Sequence, residues 1–185
     1  MARCTYMLAA LLAASSVPAF GAITVVGSSS ARMCFEAADS PMSPTARDMA
    51  YCDEAFQGES LSLHDTVATH VNRGILRLRR NQVEPAIADF DSAMRLDPDQ
   101  PEAYLNKGAA LIRMERNPDE ALQLFTIAID RQTRRPAVAH FGRAIANETL
   151  GNVRAAYNDY RRASELSPDW RDPRVELQRF RVVSN

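Results

Sequence analysis

Three polar residues stand at a fixed offset from three evenly spaced glycines, and they are the strongest candidates for chemistry in this chain. Gly74, Gly108 and Gly142 are 34 residues apart, and two residues before them stand Asn72, Asn106 and His140. One residue after the glycines come Ile75, Ala109 and Arg143, and five after come Arg79, Arg113 and Asn147. An asparagine amide both donates and accepts, so it can take up the N–H and C=O of a peptide backbone together. A guanidinium grips a carboxylate through two parallel hydrogen bonds. The chemistry of this set is therefore reversible capture of a peptide, with Arg79, Arg113 and Arg143 suited to acidic side chains or a C-terminus.

Other chemistries lack their residues. There is no glycine-rich phosphate loop, no G-x-S-x-G and no H-E-x-x-H. His64, His70 and His140 do not share a metal-ligand spacing, so no metal, cofactor or catalytic residue is expected. The chain is read as a non-enzyme. A formal net charge of −1 provides no field for nucleic acid or an anionic membrane. Lys107 is the only lysine.

Positioning such a ladder requires helices that recur. Residues 67–100 read as two amphipathic helices with a short break, closed by Asp97-Pro98. The pattern returns over 101–134 and 135–168. Within the second helices Ala86, Ala121 and Ala156 are followed by Phe90, Phe125 and Tyr160, then by Ala93, Ala128 and Ala163. Pro98 and Pro168 close the first and third units, whereas the second has Thr133 at that place. The third unit has two extra residues between Gly142 and Gly151. Small residues let helix axes approach closely, and the aromatic fills the gap beside them. A fixed period of this length predicts stacked helix pairs.

This skeleton (small, small, aromatic, small, proline) resembles the tetratricopeptide repeat family over 67–168. The resemblance implies an all-α, right-handed solenoid whose first helices line a concave groove, and a protein or peptide partner for that groove. Asn72 and Asn106 resemble the asparagine ladder of the O-GlcNAc transferase repeats. The lysine-rich carboxylate clamp of chaperone-binding members is not reproduced. Arg73 and Arg77 occupy places that usually pack, so the first unit is expected to meet the preceding segment through charge, with Asp53 and Glu54 as partners. A structural or oligomer-forming role in a larger envelope complex is the alternative to peptide capture.

The flanks complete the plan. Residues 1–22 read as a secretory signal: Arg3, an apolar run from Met7 to Ala14, then small residues with cleavage after Ala19 or Ala22. The protein is then periplasmic or secreted, with no stable membrane insertion; the alternative is an anchor by the uncleaved segment, since Ile23 to Val26 prolongs the apolarity. Two cysteines remain, Cys34 and Cys52, and in an exported protein such a pair is most simply a disulfide. Residues 31–60 are read as a helical half-repeat stapled by that bridge, with a helix starting at Pro44 and capped by Ser43. Residues 169–185 are read as a capping helix from Pro173 to about Arg181. Trp170 is its anchor, Leu177 and Phe180 lie inside, and Arg174, Glu176, Arg179 and Arg181 face water.

Overall fold

The computed structural model describes residues 20–27, 29–58 and 60–180. Among them nine helices follow one another: α1 (Ser29–Asp39), α2 (Ala46–Gly58), α3 (Leu63–Arg79), α4 (Val83–Leu96), α5 (Pro101–Arg113), α6 (Pro118–Asp130), α7 (Pro136–Thr149), α8 (Val153–Leu166) and α9 (Arg171–Leu177). Consecutive helices pack as antiparallel neighbours, as short connections require. The first helices also touch: α1 meets α3, α3 meets α5, and α5 meets α7, whereas the second helices make no comparable contact. The first helices therefore form the inner layer of an all-α solenoid, and the second helices its outer layer.

The expected half-repeat is a complete helix pair, because α1 packs on α3 as α3 packs on α5. Cys34 and Cys52 join its two helices with Cα atoms 4.9 Å apart, and both are fully buried. The second of these helices begins at Ala46, not at Pro44. Thr45 is the cap: its Oγ accepts from the Asp48 N–H, and the Asp48 carboxylate accepts from the Thr45 N–H at 2.7 Å. That reciprocal pair satisfies two free backbone donors, which Ser43 with Pro44 does not do.

The aromatics Phe90, Phe125 and Tyr160 are buried between the layers, each beside its two alanines at 0% exposure. At the far end Trp170 packs on Phe141, with ring centroids 4.8 Å apart, and its indole N–H donates to Asp172. Phe180 reaches Tyr157 and Tyr160. The last helix starts at Arg171 and is one turn earlier at its end than expected. Glu176, expected in water, is buried and pairs with Arg179, which also pairs with Glu148. The helix packs on α8, which covers Glu176 while Arg174 stays exposed. Arg181 lies outside the described residues.

The second unit closes without its proline by a different device. Thr133 donates its hydroxyl to the buried Glu102 carboxylate at 2.5 Å, and the Arg134 N–H donates to the same group at 2.9 Å. Glu102 is 2% exposed, and these bonds fix the turn into α7.

Candidate functional site: an inner groove that holds an extended segment

Residues 20–27 lie against the inner layer before the chain enters α1, bent at 20 and 27 and extended between them. The run Ile23-Thr24-Val25-Val26 is rich in β-branched residues, which favour extended backbone. Burial alternates along it: Gly21, Ile23 and Val25 are buried, whereas Thr24 and Val26 are exposed. That period of two is the mark of a strand-like peptide with one face covered.

Two asparagines hold its backbone. The Ile23 N–H donates to Asn72 Oδ1 at 2.9 Å, and Asn72 Nδ2 donates to the Ile23 carbonyl at 2.8 Å. One unit on, the Gly21 N–H donates to Asn106 Oδ1 at 3.3 Å, and Asn106 Nδ2 donates to the Gly21 carbonyl at 3.2 Å. Both asparagines are fully buried. In α3, Asp65, seven residues before Asn72 and so on the same face, accepts from the Val26 N–H at 3.1 Å. Burial opposes the Asp65 charge, but bonds from the Val26 N–H, His64 and Ser62 outweigh it and hold that carboxyl below its ordinary range. The segment thus runs from α5 across α3 toward α1, its backbone gripped at residues 21, 23 and 26.

A Cβ at Gly21 would lie 2.9 Å from Glu102 Oε2. Glu102 cannot swing aside easily, because Thr133 and Arg134 pin it. The place facing Asn106 therefore takes a residue with no side chain. Ile23 at 2% and Val25 at 6% exposure enter the hydrophobic core with Val67, Ala68 and Val71.

The other expected site residues are distributed differently. Ile75 is fully buried in the core. Arg79 donates to the carbonyls of Ala37, Ala38, Ser40 and Met42, so it closes the C-terminal end of α1 instead of waiting for a carboxylate. Ala109 is half-buried. Arg113 is exposed and reaches Asn81 Oδ1 at 3.2 Å. His140, Arg143 and Asn147 all converge on Asp159 of α8: His140 Nδ1 at 2.8 Å, Arg143 at 2.8 and 2.9 Å, and Asn147 Nδ2 at 3.3 Å.

The third unit departs because the glycines are not in structural register. Two residues beyond the ends of α3, α5 and α7 stands a residue with left-handed backbone, namely Asn81, Glu115 and Gly151, at φ 62°, 54° and 79°. These lie 34 and then 36 residues apart. Counting back seven from each gives Gly74, Gly108 and Ala144, and counting back nine gives Asn72, Asn106 and Gly142. Packing agrees. A Cβ on Gly74 would meet Phe90 of its own unit, and one on Gly108 would meet Phe125 of its own unit. A Cβ on Gly142 would lie 2.3 Å from Phe125, which belongs to the preceding unit. Gly142 therefore stands at the asparagine place, and the two-residue difference precedes the third unit's small residue instead of following it.

The corrected register reveals a second pattern. His140, Arg143, Asn147 and Asp159 correspond to His70, Arg73, Arg77 and Asp89, and the first unit builds the same cluster. His70 Nδ1 lies 3.2 Å from Asp89, Arg73 donates to it at 2.8 Å, and Arg77 donates at 2.7 Å. Arg73 also reaches Asp53 of α2 at 2.8 Å, as the charge pattern predicted, and stacks over Phe56. Glu54 instead pairs with Arg47, at 3.8 Å. Burial opposes the charge of Asp89, but bonds from His70 and Arg73 and the charges of Arg73 and Arg77 outweigh it and hold the carboxyl below its ordinary range. Asp159 is held low in the same way by His140 and Arg143. In the second unit the corresponding places are Tyr104, Lys107, Leu111 and Leu124, so the acid is absent. Lys107 turns to Asp91 at 2.9 Å and Glu120 at 2.8 Å.

Helix pairs of this kind define a helical-repeat scaffold, and the comparisons with known proteins point the same way. A TPR repeat family model matches residues 74–114. The first TPR of Spaghetti (RPAP3), solved bound to the HSP90 peptide SRMEEVD, is similar at TM-score 0.57 and 23% identity, covering 61% of this chain and 88% of that one. The Arabidopsis OM64 TPR domain is similar at TM-score 0.60 and 22% identity, over 64% of this chain and 96% of that one. The MamA RS-1 ArsTM double mutant is similar at TM-score 0.63 and 16% identity, over 81% and 82%. No curated protein matches the chain in sequence. At these identities the shared property is the fold, a tetratricopeptide-like all-α solenoid.

Proposed function

We propose that this protein is an interaction module whose inner groove captures an extended peptide or partner segment. One observation carries the reading: Asn72 and Asn106 each satisfy both backbone groups of one residue in an extended stretch. Such contacts recognise a backbone and not a particular side chain, so the groove is built to hold peptide. The Spaghetti repeat domain, bound to a peptide in its structure, is consistent with that use of the fold. Asn72, Asn106, Asp65 and Glu102 form the proposed site, with Ala109 and Arg113 on the same helix as Asn106.

Export fits the same picture. The Cys34–Cys52 bridge suits an oxidising compartment, and no helix among the described residues is long and apolar enough to cross a membrane. The signal segment falls on residues 1–19, outside the described residues, and on residues 20–22, which sit in the groove. Cleavage after Ala19 retains Gly21 on Asn106, whereas cleavage after Ala22 would remove it.

The test is photocrosslinking in the native cell from a reactive residue at position 109. An adduct that is lost in the Asn72→Ala/Asn106→Ala variant supports the reading. An adduct that persists unchanged, or one composed only of further copies of this chain, favours the structural, self-associating role.

A further inference from the structure

Resting on that reading, we propose that residues 20–27 are a tethered ligand, and that the groove's partner in trans is an extended peptide carrying the same pattern: glycine, small residue, aliphatic, any residue, aliphatic. The segment is held in the manner of a bound peptide. Its backbone is taken up by side chains of the inner layer, not by a sheet neighbour, and its alternate residues project to opposite sides. Each element of the pattern has a cause. Glycine faces Asn106 because a Cβ there would lie 2.9 Å from a Glu102 carboxylate pinned by two hydrogen bonds. The aliphatic at the Ile23 place and the one at the Val25 place are buried in the core lining. Of the residues between them, Thr24 is exposed and free to vary, whereas Ala22 is half-buried against the core and calls for a small side chain.

The tether sets the terms of exchange. Only position 28 separates the segment from α1, which gives it a high effective concentration against any free peptide. A partner must therefore displace it, and the unsubstituted chain should bind such peptides weakly while a chain with a weakened segment binds them well. Because asparagine bonds satisfy the same backbone groups in either ligand, exchange replaces four hydrogen bonds by four equivalent ones.

The experiment uses the full chain and a fluorescein-labelled, end-blocked peptide with the sequence of residues 20–27, followed by anisotropy. The groove is opened by Gly21→Val with Ile23→Asp, and circular dichroism verifies that the helices remain. The peptide is expected to bind the opened chain at least tenfold more tightly than the unsubstituted chain. Binding should fall at least tenfold when Asn72→Ala and Asn106→Ala are added, and also when the peptide carries valine in place of its glycine. Equal affinity for the opened and unsubstituted chains, with helices intact, overturns the tethered-ligand proposal. A peptide with threonine at both aliphatic places separates the two levels. If it binds as well as the parent and still depends on the asparagines, backbone capture stands and the pattern falls. If neither peptide binds the opened chain, both fall. Dimers of the unsubstituted chain that exchange their segments, with no peptide binding to the opened chain, assign the segment to self-association and overturn the proposal.

Discussion

Gly142→Ala tests the register of the third unit, which decides why its polar residues leave the groove. In the structure the added methyl would lie 2.3 Å from Cζ and 2.5 Å from Cε1 of Phe125. Carbon atoms in contact prefer about 3.5–4.0 Å, so the ring or the helix must move. Overpacking of this kind costs about 1–3 kcal/mol. Replacing glycine by alanine within a helix returns about 1 kcal/mol of backbone propensity. The expected net loss is up to about 2 kcal/mol, read as a lower midpoint in urea unfolding. Gly108→Ala places its methyl 3.0 Å from Cζ of the same Phe125 ring, and should lie within about 1 kcal/mol of the parent because the propensity gain offsets a milder clash. The decisive measurement is a double-mutant cycle. Phe125→Leu should relieve Gly142→Ala, with a coupling of about 1 kcal/mol, whereas Tyr160→Leu should add to it independently. Coupling to Tyr160 and not to Phe125 would restore the simple 34-residue register and refute the placement of Gly142 at the asparagine site.

Four further outcomes are expected. Asn72→Ala leaves the Ile23 N–H and C=O without buried partners, at about 1–3 kcal/mol for each unsatisfied group unless the segment detaches; hydrogen exchange should show loss of protection at Ile23, and unchanged protection would sink the groove model. Asp89 and Asp159 have lowered folded values, so their stabilisation is complete above the unfolded aspartate value of about 3.9 and disappears as pH falls through the folded values; unfolding followed from pH 7 to pH 2 should show an acid limb that Asp89→Asn with Asp159→Asn flattens. Reducing Cys34–Cys52, which closes a loop with a separation of 18 residues, should lower stability by about 3 kcal/mol on the chain-entropy model, measured as the difference in urea midpoint with and without reductant. In exported protein, mass spectrometry should find Phe20 as the first residue; a start at Ile23 would contradict retention of the Gly21–Asn106 contact.

The 34- and 35-residue spacings, the small residues and the aromatics determined the solenoid by themselves, because each unit must bury its apolar stripe on the next. The cysteine pair, the charge contact from Arg73 to Asp53 and the packing role of Trp170 were equally legible, since each depends on residue types at short range. Asn72 and Asn106 could be named from one offset. What filled their reach could not: Gly21 and Ile23 are 85 and 49 residues away, and a contact at that separation leaves no periodic trace. The β-branched run at 23–26 was a signal for extended structure, but it sits beside the apolar leader and continues its hydropathy.

The third unit shows the limit most clearly. His140, Arg143 and Asn147 match the glycine offset in sequence, yet a helix places side chains by their distance from its own ends. Only the left-handed residues at 81, 115 and 151 fix those ends, and they move the third unit by two positions, which rotates its polar residues from the groove onto Asp159. The repeat was therefore written in the sequence, while the face each residue presents was decided by packing between helices.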